Sequence, residues 1–300
     1  MNSVLQLAGR ITIGLLLVSA LGCGGSRPSD TTNDLPRVVA SIFPIADLAS
    51  VLGGDDVQVD VLLAPGASPA TFELTPGQLR LLRAADVYLS IGAGLDTWVG
   101  ASGREEAEVV VLTEGLELIA AGDHEHDGNP HVWLDPVLVR DHLLPRITLA
   151  LQAVAPAARE RIERRRASLA DSLSILEAEI TRALEPLHNR AFLASHPAWT
   201  YFAHRFDLTE LGTVHESPGS EPSPRALASL IDKARAAGVT VVFAEPQFGE
   251  AAAYALADEL GGSVFVLDPL GGRHIPGRDS YFALMRYNTA QLVAGLGSPE

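Results

Sequence analysis

The chain has 300 residues, a formal net charge of −15 and 47% hydrophobic residues, with one cysteine. That apolar share is ample for a packed core, a lone cysteine excludes an internal disulfide, and the acidity argues against nucleic acid as a partner, because phosphate binding needs a basic surface. A cation is the more natural ligand, although acidity in itself mainly serves solubility.

The first element in chain order is an export signal over residues 1–22. Arg10 is its only charge, Ile11 to Leu21 is apolar, and small residues precede Cys23. The apolar run is shorter than the roughly 20 residues a membrane-spanning helix needs, and no second stretch is long enough. Once Arg10 leaves with the signal, the formal charge becomes −16. Ser19-Ala20-Leu21-Gly22-Cys23-Gly24-Gly25 resembles the lipobox of bacterial lipoproteins, with its leucine shifted by one place. The resemblance implies that Cys23 is diacylated and becomes the new amino terminus; the alternative is an ordinary signal peptide with an incidental cysteine. Residues 23–36, rich in Gly, Ser, Asp and Thr, are expected to form a flexible tether.

From Arg37 onward, short β-branched runs alternate with helical ones. Strands are expected at Val38–Ile42, Val57–Leu63, Val87–Ile91 and Val109–Leu112, and helices at Ile45–Leu52 and Thr75–Ala85. The pattern restarts at Ala191–Ala194 and continues through Leu208–Val214, Val239–Ala244 and Val264–Leu267. Such alternation specifies mostly parallel sheets covered on both faces. Two blocks of it predict an α/β protein of two lobes, residues 37–153 and 188–300.

Residues 154–187 join the lobes. Apolar positions at Ile162, Leu169, Leu173, Leu176, Ile180 and Leu184 are spaced 7, 4, 3, 4 and 4 apart, one stripe of an amphipathic helix. Pro156 suits its start and Pro186 its stop. At 1.5 Å per residue the helix would be roughly 45 Å long, a rigid bridge that limits hinging. The charged run Arg159 to Arg166 is read as its solvated face.

Three metal-capable residues stand out. His131 lies in Asn129-Pro130-His131-Val132-Trp133-Leu134-Asp135-Pro136, His196 follows the strand ending at Ala194, and Asp268 follows the strand ending at Leu267. Ligands of open α/β sheets bind beyond the carboxyl ends of the strands, where His215 and Glu245 also fall. Taken singly, His131 could cap the following helix, His196 could be a satisfied core histidine, and Asp268-Pro269 is a plain turn signal. Together, two imidazoles and a carboxylate would form a nitrogen/oxygen site for zinc or a similar ion in the cleft between lobes. Trp133, Trp199 and Tyr201 are expected to pack around the site or in the core.

The segments Ala40-Ser41-Ile42-Phe43-Pro44, Pro65-Gly66-Ala67-Ser68-Pro69, Phe72-Glu73-Leu74-Thr75-Pro76, Gly94-Leu95-Asp96, His131-Val132-Trp133-Leu134-Asp135-Pro136, Ser195-His196-Pro197-Ala198-Trp199, Glu221-Pro222-Ser223-Pro224, Glu245-Pro246-Gln247-Phe248 and Leu267-Asp268-Pro269-Leu270 occur in order. With them the chain resembles, over nearly its whole mature length, the solute-binding lipoproteins that deliver zinc or manganese to ABC importers. The resemblance implies two α/β lobes on one long helix and a metal held by His131, His196 and Asp268, with Zn2+ favoured over Mn2+ by a histidine at position 196. It implies an ABC permease as partner, a monomer in the cell envelope, periplasmic or extracellular, and membrane contact only through lipidated Cys23. The family's first ligand, a histidine after Pro-Gly-x-x-Pro, is Ala70 here. Its substitute could be His215, His274, Glu73, His124, His126 or water. The loop Asp123-His124-Glu125-His126-Asp127 resembles a short form of the family's His/Asp-rich loop, or is a polar surface loop.

Two other classes compete. An open zinc position would suit a metal hydrolase with Glu73 or Glu245 as base, although neither a His-Glu-x-x-His nor a nucleophile motif is present. Ala70 would equally suit an adhesin or structural lipoprotein with a degenerate site.

Overall fold

The structure, a computed structural model, describes residues 35–99, 107–120, 128–215 and 223–297. The export signal, Cys23, most of the tether, the 123–127 loop with His124 and His126, and Glu221-Pro222 lie outside the described residues.

Two parallel four-stranded sheets carry the architecture. The front sheet holds β1 (Arg37–Ala40), β2 (Gln58–Val61), β3 (Val87–Ser90) and β4 (Glu108–Val111) in the order β2-β1-β3-β4. The rear sheet holds β5 (Ala191–Ala194), β6 (Thr209–Thr213), β7 (Val241–Ala244) and β8 (Ser263–Val266) in the order β6-β5-β7-β8. The eight strands fall within two residues of the expected ends. β3 and β7, both central, are buried along their whole length, as expected of strands covered on two faces. In each sheet the chain order reverses between the two central strands, so the crevice beyond their carboxyl ends is the natural ligand position.

Between the sheets runs α5 (Arg159–Leu184), entered through a tighter 3-10 turn at Pro156–Ala158. Its 26 residues span about 39 Å, slightly less than expected because the first turn is not α-helical. Its buried residues are Ile162, Leu169, Leu173, Leu176, Ile180 and Leu184, the stripe read from the spacing. α5 packs on α1 (Phe43–Gly53), α3 (Pro136–Leu138) and α4 (Leu144–Val154) on the front side and on α9 (Tyr281–Leu296) on the rear. One buried cluster therefore runs from Val38 and Leu89 through the α5 stripe to Phe192 and Phe243. Both lobes share this core, and each keeps a smaller one of its own: Val39, Leu82 and Tyr88 in front, Leu193, Val242 and Leu256 behind.

The helical stretch after His131 is interrupted. α3 and α4 are separated by a π turn at Val139–Leu143. Pro145 has no N–H to give the Asp141 carbonyl and its ring would collide with it, so the widened turn relieves the crowding. Asp135, rather than His131, caps this stretch, accepting from the Val137 amide at 2.8 Å. The same carboxylate takes a bidentate contact from Arg205 of α6 (Thr200–Arg205), 3.0 Å to each oxygen. The segment carrying His131 is thus pinned to the rear lobe.

Candidate metal centre

His131 precedes a 3-10 turn whose three residues, Val132, Trp133 and Leu134, are all buried. That anchoring fixes the backbone under the imidazole. Trp133 Nε1 donates to the Pro269 carbonyl at 2.7 Å, and the Tyr281 hydroxyl donates to the Trp133 carbonyl at 2.9 Å. The His131 segment is therefore bonded directly to the residue after Asp268. Trp199 is likewise fully buried and Tyr201 nearly so, bonded to Asn129 and Ile119, so all three aromatics pack as expected.

His196 leaves β5 beside Glu245, which leaves β7, at the point where the rear sheet's order reverses. The two imidazoles meet: His131 Nε2 and His196 Nε2 are 3.2 Å apart. Their outer nitrogens face acceptors. His131 Nδ1 lies 2.8 Å from Asn129 Oδ1, which also accepts the His131 backbone N–H, while Asn129 Nδ2 donates to the Pro197 carbonyl at 2.7 Å. Those partners fix the Asn129 amide, so the proton belongs on His131 Nδ1. His196 Nδ1 lies 2.7 Å from Glu245 Oε2; the approach is oblique and gives neither atom an aligned hydrogen bond. A carboxylate oxygen that close still demands a protonated nitrogen. Each ring thus presents an Nε2 lone pair to the other.

Two facing lone pairs repel unless a proton or a cation lies between them. Burial first, and the neighbouring His196 second, push the His131 pKa well below the usual 6.5, so this imidazole stays neutral. Zinc–nitrogen bonds of about 2.0–2.1 Å at a tetrahedral angle separate the nitrogens by about 3.3 Å, close to the observed spacing. An Nδ1 held by an acceptor, as His131 Nδ1 is by Asn129, is also what a metal-ligating histidine requires of its surroundings.

Asp268 is held in hydrogen bonds of its own. Its Oδ1 accepts from Gln247 Nε2 and from the Leu270 and Gly271 amides, each at 3.0 Å, and its Oδ2 accepts from Arg278 at 2.9 Å. Gly271 has φ of 62°, and a Cβ there would strike the Arg278 carbonyl, so the turn that aims these amides requires glycine. Among the described residues no three His, Cys, Asp or Glu side chains converge on a common ion position; the structure brings His131 and His196 together and does not bring Asp268 into the same group, its carboxylate being engaged by Gln247, Arg278 and two amides.

The remaining candidates are placed less favourably. His215 stacks on Phe248, whose ring also packs 4.7 Å from His196. Glu73, His274 and Ala70 are exposed, and Ala70 sits in a 3-10 turn, Pro69–Thr71. The Ala70 loop nevertheless abuts the Asp268 loop, because a Cβ on Gly272 would press against Pro65. Sequence reasoning placed Glu245 at a strand end without its role on His196 Nδ1, and it missed Asn129 as the partner of His131 Nδ1. The Asn-Pro pair beside His131 was the one available sign. Glu210 was also missed. Burial pushes its pKa up to about 7, with Glu245 adding to the rise while Thr200 and His196 oppose it.

The family model described as "Zinc-uptake complex component A periplasmic" matches residues 38–295. The chain is 27% identical to the high-affinity zinc uptake system protein ZnuA of Bacillus subtilis, over 94% of each chain. It is 24% identical to the zinc-binding lipoprotein AdcA of Streptococcus pneumoniae, covering 86% of this chain and 55% of that one. Among solved structures, a zinc-bound ZnuA deletion mutant superposes with a TM-score of 0.80 at 30% identity, over 89% of this chain and all of that one. A manganese-bound periplasmic metal-binding protein from Candidatus Liberibacter asiaticus has the same fold, with a TM-score of 0.79 at 20% identity and 87% and 99% coverage. The chain belongs to the family of periplasmic A components of zinc-uptake complexes.

Proposed function

We propose that this protein is a lipid-anchored receptor, outside the cytoplasmic membrane, that captures a divalent transition metal, zinc foremost and manganese second, and hands it to the permease of an ABC importer as a monomer. The observation that carries the reading is the His131–His196 pair, with Nε2 atoms 3.2 Å apart and each outer nitrogen within 2.8 Å of an acceptor oxygen. The bound metal is cargo, and His131, His196 and Asp268 are its ligands; His131 comes from the front half and the other two from rear strand ends. The exposed Ala70 turn leaves room for water or a substitute side chain at the fourth position.

Capture follows from donor chemistry. Neutral imidazoles bind metal and protonated ones do not, and the depressed His131 pKa keeps that donor available as pH falls. Glu245 does not serve as a hydrolytic base in this reading. It is 1% exposed, accepts from Trp199 Nε1 and lies 2.7 Å from His196 Nδ1, a position that orients a ligand rather than moving a proton to water. The lipid anchor rests on the sequence around Cys23 and on the AdcA relative's description as a lipoprotein; no helix among the described residues is long and apolar enough to cross a membrane. Calorimetric titration of the purified chain with zinc at pH 7.5 should show one site with a dissociation constant of about 1 μM or tighter. Absence of heat and of competition with a chromogenic chelator would sink the reading.

A further inference from the structure

We infer that Arg278 is the stand-in cation of the metal-free protein, occupying the Asp268 oxygen that the metal takes on loading, so that capture and release exchange one cation for another. The inference rests on the reading of Asp268 as a ligand. Asp268 is 1% exposed, and a carboxylate so buried needs a compensating charge at all times. Its Oδ1 is saturated by Gln247 and two backbone amides, whereas Oδ2 accepts from Arg278 Nη1. Oδ2 is therefore the oxygen to offer, and Arg278 stands on it.

The contact is built to be left. Arg205 grips Asp135 through Nε and Nη2 on both oxygens, the bidentate form of a structural pair. Arg278 makes a single contact, its Nε is buried without a partner, and its guanidinium lies 4.8 Å over the Tyr287 ring. That ring already holds the cation alongside Asp268 and would remain its partner once Oδ2 is given up. The Arg278 backbone is held separately, its N–H on the Ile275 carbonyl and its carbonyl on the Gly272 N–H. The side chain, 22% exposed, can swing without moving the turn that presents Asp268.

The test is the zinc dissociation constant of the purified full-length chain, by competition with a chromogenic chelator, together with melting of the metal-free form. Arg278→Gln should bind zinc at least about tenfold tighter, melt lower without metal, and regain stability when zinc is added. Arg278→Lys keeps a charge but loses reach, and should fall between that variant and the parent; it carries the test if Arg278→Gln cannot be obtained folded. Asp268→Asn should weaken zinc at least about tenfold and cancel the gain when combined with Arg278→Gln. Unchanged or weaker zinc binding in both Arg278 variants would overturn the role of Arg278, making it a structural partner only. Unchanged binding in Asp268→Asn would instead remove Asp268 from the ligand set, and this inference with it.

Discussion

The front and rear sheets share one strand order and one crevice position, yet they furnish them differently. Beyond the front sheet's central strands stand Ser41, Gly92 and the buried Asp96, whose carboxylate accepts from Ser90, Tyr88 and the Ile91 and Gly92 amides. That carboxylate is consumed in tying the strand ends together. Beyond the rear sheet stand His196, His215, Glu245 and Asp268, all at least 92% buried. One front-lobe imidazole, His131, faces His196, on a segment bonded to the rear lobe through Trp133 and Asp135. The same topology thus carries a brace on one side and a cluster of buried titratable side chains on the other, because strand-end residues set the chemistry while the sheet sets only where it happens.

Removing the rear imidazole should erase the asymmetry. His196→Ala is expected to weaken zinc binding at least about 100-fold, about 2.7 kcal/mol or more, in the chelator competition; a smaller loss would move the site elsewhere. Next comes the burden of buried acid on the rear side. Glu210 has its pKa raised from 4.5 to about 7, so the folded state holds a proton that the unfolded state has released between those values. Stability contributed by that proton is present below pH 4.5 and is lost as pH rises through about 7. Glu210→Gln should leave metal-free stability unchanged at pH 4.5 and raise it by about 2 kcal/mol at pH 8 in urea unfolding. An equal gain at both pH values would assign the effect to packing.

The comparison can also be balanced from the front. Ala70→His adds the imidazole that the front lobe lacks, on a loop whose Pro65 meets Gly272, and should tighten zinc about tenfold. No change would mean that position 70 faces away from the His131–His196 pair. The smallest expected effect lies on the seam. Trp133→Phe strands the Pro269 carbonyl and should cost about 1 kcal/mol of stability in urea unfolding, with a modest loss of zinc affinity read in the chelator competition. A loss of stability alone would show that the seam supports the fold without aiming the ligands.

Much of this was legible in the chain. The two βα blocks and the α5 stripe follow from periodicity, because a residue's face on a strand or helix is fixed by local geometry. His196 and Asp268 were found as polar residues one or two places beyond apolar runs, which any parallel strand projects to the same edge. The π turn before Pro145 was not anticipated, since it answers a clash that exists only inside a helix. Arg278 carried no local sign at all; it sits in a loop after Pro276-Gly277, and its partner is ten residues back.

By itself, the sequence determined the elements, their order, and which titratable residues end the rear strands, because each depends on near neighbours along the chain. Only the tertiary structure decided that His131 faces His196, that Asn129 and Glu245 fix which nitrogens look inward, and that Asp268 rests on Arg278. Those are distances between residues far apart in sequence, set by how a shared core docks two sheets on one helix, and no local pattern encodes them.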